Sequence, residues 1–195
     1  SLTLHYTIDA TGHILYEQTM QPATGEKSPN FFRFGLKAEL PKELDQVEYY
    51  GRGPVENYPD RKLSQPFGLY RSSVEELFYS YIRPQETGLR SDLSYYRVLD
   101  RGGRGLEVRS DKPFMASALN RSMESLDGYP EKTQQHSELI PRAPFTQLLV
   151  DGEHMGLGCY NSWGALPQAK YLLPTDRPYK LRILLSPIIP LRPRL

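Results

Sequence analysis

FRFGLKAEL, residues 32–40, is the stretch that decides the fold class. Phe32, Phe34, Leu36, Ala38 and Leu40 alternate with Arg33, Gly35, Lys37 and Glu39. A period of two puts the apolar side chains on one face of an extended strand and the charges on the other, the pattern of a half-buried antiparallel strand. The same period recurs on both sides. Leu2, Leu4, Tyr6 and Ile8 alternate with Thr3, His5 and Thr7, DATG follows as a turn, and Ile14 to Met20 reads as the returning strand of a hairpin. Shorter runs occur at Val47–Tyr50, Tyr95–Leu99, Leu106–Arg109 and Phe114–Leu119. Leu148–Val150 and Met155–Cys159 flank Asp151-Gly152, a pair that favours a type I′ hairpin turn. Tyr179, Leu181, Ile183 and Leu185 then alternate with Lys180, Arg182 and Leu184.

Helical signal is poor: a turn or two at Val74 to Tyr79, and another at Ser122 to Leu126, stopped by Gly128 and Pro130. Many short strands at near-regular spacing predict an all-β fold, one large antiparallel β-sandwich over residues 1–186, with a Pro-rich tail at 187–195 that runs extended or frays. The 17 prolines and 15 glycines suit strands joined by tight turns. No internal repeat or linker divides the chain.

With 24 Lys and Arg against 23 Asp and Glu, the 195-residue chain carries no basic field for nucleic acid. No apolar run reaches the length of a membrane-spanning helix. Tyr (14) outnumbers Phe (7), which suits partly exposed sheets and interfaces. Cys159 is the only cysteine, so no intrachain disulfide forms, which fits a reducing compartment. The chain opens at Ser1 on a strand-like segment without an initiator Met, and it reads as a piece of a longer polypeptide.

Catalytic constellations are weak. The local carboxylate pairs are Glu56 with Asp60, Glu86 with Asp92, and Asp151 with Glu153. The first two sit in Pro- and Gly-rich loops beside Arg61 and Arg90, where a carboxylate more often bonds loop amides or pairs with Arg to fix a turn. The third is expected at a solvated hairpin tip. His5, His13, His136 and His154 share no metal-ligand spacing, and no nucleophile elbow or phosphate-binding glycine loop appears. Trp163, the only Trp, stands apart: it lies in YNSWGALP, a loop of small and turn-forming residues. From the residues alone it is either a buried anchor or an indole platform for the apolar face of a sugar.

Three motifs carry a resemblance. YYGRGPVENYPDR (49–61), PQETGLRSD (84–92) and DGEHMGLGCYNSW (151–163), in that order and spacing, resemble the C-terminal domain of the bacterial β-galactosidases of glycoside hydrolase family 2, and the likeness covers nearly the whole chain up to Leu185. It implies a supersandwich of the galactose mutarotase-like type, packed on a (β/α)8 barrel that supplies both catalytic glutamates and a magnesium ion, with sodium as a second candidate. It therefore implies no catalytic residue, cofactor or metal site in this chain. It further implies a β-galactoside substrate such as lactose, the enzyme's own barrel and N-terminal domains as partners, and a homo-oligomeric full enzyme. By this resemblance Trp163 stacks on the substrate at the mouth of the barrel, with Ser162 and Asn161 beside it. Two positions depart from the pattern: Asn161 replaces a common acidic residue, and Thr87 replaces the Asn of Glu-Asn-Gly. Two rival readings remain: a stand-alone carbohydrate-binding sandwich with a second platform at Tyr49–Tyr50 or Tyr95–Tyr96, and a purely structural assembly domain with Trp163 buried.

Overall fold

The first apolar-polar rows fold back on each other as β1 (Leu2–Ile8) and β2 (Ile14–Met20), joined by the Asp9–His13 turn. The chain continues through β3 (Arg33–Pro41), β4 (Gln46–Arg52), β5 (Phe67–Ser73), α1 (Val74–Leu77), β6 (Arg90–Leu93), β7 (Tyr95–Leu99), β8 (Gly105–Ser110), β9 (Phe114–Leu119), α2 (Met123–Asp127), β10 (Phe145–His154) and β11 (Tyr179–Ile188). This is a computed structural model, and it describes residues 1–23, 29–127, 136–158, 160–161 and 164–190.

The strands form a seven-stranded sheet, β1-β2-β11-β8-β7-β4-β5, and a four-stranded sheet, β3-β10-β9-β6. All the pairings are antiparallel, so the expected all-β sandwich is borne out. The two sheets meet over a core in which Phe34, Val47, Tyr49, Tyr96, Val98, Val108, Leu148, Val150, Tyr179 and Ile183 are almost wholly buried. Each such side chain contributes about 1.5–3 kcal/mol relative to exposure. A second, smaller cluster of Leu119, Leu126, Ile140 and Leu149 covers the far face of the four-stranded sheet. That double cover explains why β10 reads FTQLLVDGEH, a near-continuous buried run rather than an alternation.

The short helices fall close to where the sequence puts them. α1 opens with a reciprocal capping box: the Ser73 hydroxyl accepts from Glu76 N–H, and the Glu76 carboxylate accepts from Ser73 N–H. α2 is shifted one residue from the expected span, and the breakers Gly128 and Pro130 lie outside the described residues.

Several expectations are corrected. Asp151-Gly152 is not a turn. β10 passes straight through it, and the register against β3 slips by one residue between Asp151 and Glu153, which makes Gly152 a β-bulge. Met155–Gly158 is irregular rather than strand, and Cys159 lies outside the described residues. Phe32 precedes β3 and is 74% exposed instead of lining the core. β1 is exposed along its whole length, because it is the edge of the wider sheet; of its apolar row, Tyr6 meets the Tyr16 ring of β2 edge-on at 5.1 Å. β11 runs through Pro187 and Ile188, which pair with Leu106 and Gly105. β5 and β6 gave no alternation signal. β5 is an edge strand with half its row polar, and β6 is four residues long and interrupted by Asp92 at φ 54°.

Candidate functional site

The three motif segments converge at one end of the four-stranded sheet, where their carboxylates are absorbed by hydrogen bonds. Glu56, almost buried, accepts from Gly88 N–H at 2.7 Å, the Thr87 hydroxyl at 3.1 Å, Arg61 at 2.7 Å and the Tyr81 hydroxyl. Asn57 ties the same loops together: its N–H donates to Leu89 O at 2.8 Å, and its Oδ1 accepts from both the amide and the hydroxyl of Ser91. Arg90 spans the gap to the first motif, donating to Pro54 O and Gly88 O, each at 2.9 Å. The expected loop-locking role of ENYPDR and PQETGLR is therefore visible bond by bond. Thr87, one of the departures from the family pattern, is fully used: its hydroxyl also accepts from Tyr79 N–H at 3.1 Å.

Asp151 proves to be buried rather than solvated, and it sits with a residue that the alternation assigned to the outer face of β3. Arg33 reaches it through a parallel pair of bonds, Nε to Oδ1 at 3.0 Å and Nη2 to Oδ2 at 2.5 Å, while Nη1 reaches Glu86 Oε2 at 3.2 Å. The bulge assembles this cluster. Asp151 lies opposite Gly35 and His154 opposite Arg33, two positions apart on β3 and so on one face, although they are three positions apart along β10. His154 Nδ1 is 2.6 Å from Met155 O, its Nε2 is 4.0 Å from Glu86 Oε1, and Tyr58 meets its ring edge-on. Burial pushes the Glu86 carboxyl up to about 7 against the attraction of Arg33, with the Asp151 and Glu56 carboxylates adding to the rise. Burial likewise lowers the His154 pKa, holding the imidazole neutral. Glu86 is therefore paired with Arg33, not with Asp92. Asp92 is instead held by Arg52 at 2.7 Å and Lys62 at 2.7 Å. Among the described residues no group of three or more His, Cys, Asp or Glu is arranged to hold a metal ion. A cleft of about 610 Å³ opens beside the cluster, walled by Phe32, Met123, Leu126 and Leu157, with Glu86 and His154 along it.

The third motif leaves the sheet through a tightly held segment. Met155 N–H donates to Phe32 O at 2.8 Å, Gly156 N–H to Tyr171 O at 2.9 Å, Leu157 N–H to Asp60 Oδ1 at 3.0 Å and Gly158 N–H to Asp60 Oδ2 at 2.8 Å. At Gly156 a Cβ would come within 2.6 Å of Asp60 Oδ2 and 2.9 Å of Tyr171 Cβ, so only glycine allows this approach. Gly158 has φ +79°, and a Cβ there would come within 2.9 Å of Ala165 O and 3.3 Å of Pro167 N. A side chain at 158 would therefore collide with the backbone at 165–167. Of the expected substrate contacts, Asn161 is exposed, while Ser162 and Trp163 lie outside the described residues.

The alternative aromatic platforms are split between the two faces of the sheet. Tyr49 and Tyr96 stack in the core with centroids 5.9 Å apart. Tyr50 and Tyr95 face outward as cross-strand neighbours, with Arg97 over the Tyr95 ring at 4.7 Å and Arg109 at 5.1 Å.

This sandwich, with its interlocked motifs, matches a known family model, beta galactosidase small chain, over residues 1–185. The chain belongs to the β-galactosidase small-chain family. Relatives include a β-galactosidase of Lactobacillus delbrueckii subsp. bulgaricus, 33% identical over 189 residues, which are 96% of this chain and 18% of that protein. Another, from Halalkalibacterium halodurans, is 30% identical over 88% of this chain and 17% of its own length. A third, from Vibrio cholerae, is 36% identical over 74% of this chain and 13% of its own. The small-chain sequence here thus spans less than a fifth of the length of the curated relatives it matches.

Sequence reasoning found the motifs but missed two members of the site. The alternation predicts Arg33 on the charged outer face of its strand, and His154 has no metal-ligand spacing to mark it. The bulge that brings them together leaves only a glycine in the sequence, and Asp-Gly has a commoner reading as a turn.

Proposed function

We propose that this chain is the C-terminal small-chain portion of a glycoside hydrolase family 2 β-galactosidase that removes terminal β-D-galactosyl residues, from lactose among other galactosides, with retention of configuration. In that mechanism one carboxyl group attacks the anomeric carbon while a second, about 5–5.5 Å away, protonates the leaving oxygen, and water later hydrolyses the galactosyl-glutamate. Both carboxyls belong to the barrel, as does the magnesium, with or without sodium. In this chain the motif carboxylates Glu56, Asp92 and Asp151 are already engaged by cations and amides. The chain's own part is to complete the substrate-binding mouth with Trp163, flanked by Ser162 and Asn161, and to pack against the barrel and N-terminal domains of a homo-oligomer.

The observation that supports this reading is that Asn161, two residues before Trp163, is exposed just beyond the segment 155–158 that Phe32, Tyr171 and Asp60 hold to the sandwich. An indole has an apolar face to offer to a sugar ring. In the full-length enzyme Trp163→Ala should weaken galactoside binding by about 1–3 kcal/mol, seen as a rise in KM, with little change in thermal stability. A loss of about 3–5 kcal/mol of stability with unchanged KM would make Trp163 a core anchor and overturn the assignment. The isolated chain should be inactive on a chromogenic β-galactoside.

A further inference from the structure

We propose that Glu86 and His154 form a proton-operated latch across the cleft beside the Arg33 cluster, closed when a single proton bridges the two side chains and open when that proton is lost. The walls of the cleft come from different motifs: Pro84 to Thr87 belong to the second, and His154 to Leu157 to the third. Between them Glu86 Oε1 and His154 Nε2 face each other at 4.0 Å. The Met155 carbonyl can only accept, so its 2.6 Å contact with Nδ1 puts the imidazole proton there and leaves Nε2 of the neutral ring a bare acceptor. Glu86 Oε2 accepts from Arg33 Nη1 at 3.2 Å, whereas Oε1 is buried and has no hydrogen-bond partner among the described residues. Two acceptors therefore meet out of water with no hydrogen between them, which costs free energy unless one of them is protonated. A proton on Oε1 supplies the missing donor. The resulting O–H···N bond draws the walls together by about 1 Å and leaves the Arg33 bond to Oε2 in place. With the proton gone, the carboxylate turns to the Arg33 guanidinium and away from the Nε2 lone pair, and the walls part.

The other charges around the pair are mostly matched. Arg33 from β3 is committed to Asp151 of β10. From the loop after β4, Glu56 is held by Arg61, Thr87 and Gly88 N–H, and Asp60 by the amides at 157 and 158. Burial raises the Tyr58 phenol, whose ring meets the imidazole edge-on, so it keeps its proton. Along the cleft Glu124 pairs with Lys37, and Arg83 and Asp127 oppose each other in sign. In the smaller hollow that His154 also lines, Lys62 pairs with Asp92, Glu153 with Arg177, and Lys170 lies over the Tyr171 ring. The Glu86 carboxyl, raised to about 7, changes charge where the latch needs it to. Thr87 and Gly88, next in the chain, both hold Glu56, so the state of the latch is passed on to the first motif.

The test is backbone amide hydrogen exchange of the full-length enzyme at about pH 6 and about pH 8.5, read by mass spectrometry in peptides covering residues 83–89 and 153–158, with each rate divided by the intrinsic rate at that pH. In the parent, protection of these peptides should fall on the order of tenfold between the two, while a peptide from β7 (Tyr95–Leu99) keeps its protection. Glu86→Gln, whose amide donates to Nε2 at any pH, should stay protected at both. His154→Phe keeps a ring against Tyr58 but removes the acceptor, and should be open at both. Protection that does not change with pH in the parent, or a loss at high pH that survives in Glu86→Gln, overturns the proposal. So does a His154→Phe enzyme that still closes at low pH. Should His154→Phe fail to fold, the comparison of the parent with Glu86→Gln decides alone. None of these outcomes depends on the role of Trp163.

Discussion

Arg33 and Asp151, 118 residues apart in the sequence, face each other through two parallel hydrogen bonds between neighbouring strands. The Asp151 side chain is 2% exposed and that of Arg33 17%, so the pair is held largely out of water. A fork-to-fork geometry of this kind is specific to arginine and carboxylate.

Removing one partner strands the other. Arg33→Ala leaves a buried carboxylate without its cation and should cost about 3–5 kcal/mol. The fall in the unfolding midpoint in urea, at unchanged m-value, is the measurement. Arg33→Lys should recover only part of it, because an ammonium cannot make both bonds.

Glu86 makes stability depend on pH in an unusual direction for an acid. Its carboxyl titrates near 4.5 in an unperturbed chain and is raised to about 7 in the fold. The native state therefore binds its proton more tightly than the unfolded state, so this contribution is fully present below about pH 4.5 and is lost as pH rises through about 7. Unfolding free energy measured from pH 5 to pH 8 should fall with a slope that Glu86→Gln flattens. An unchanged slope in Glu86→Gln would mean that another group titrates there.

The apolar row of β1 should drive association of the isolated chain. Leu2, Leu4, Tyr6 and Ile8 are 46–67% exposed, and they continue the inward face of the seven-stranded sheet past the last strand that covers it. Sedimentation of the 195-residue chain should show mass rising with concentration, and Leu4→Thr with Ile8→Thr should reduce it. A monomer at all concentrations would show that the row is tolerated in water.

Strands with clean alternation and one dry face were legible in the sequence: β2, β3 and β11 carry a period of two because the seven- and four-stranded sheets bury only one side of each. β10 was only partly legible, since α2 and its neighbours bury its second face as well and erase the polar half of the pattern. The motif loops were legible as locks but not in their partners. Glu86 was matched to Asp92 by nearness in sequence, whereas its cation comes from β3, 53 residues away. Asp60 was seen as a carboxylate beside an arginine; that it would meet two amides of the third motif depends on how both loops leave the sheets, which no local spacing encodes.

The bulge at Gly152 also sets where this domain can change length. In a paired strand the loss of one residue normally inverts every later side chain, which is lethal to a strand buried on both sides. Gly152 is the surplus residue of β10: Asp151 already pairs with Gly35 and Glu153 with Phe34, so excising it would leave those neighbours facing as they do now. A deletion at Leu149, by contrast, would exchange core and outer positions along one arm of the strand. Among homologues of differing length, single-residue gaps within this strand should therefore collect at position 152.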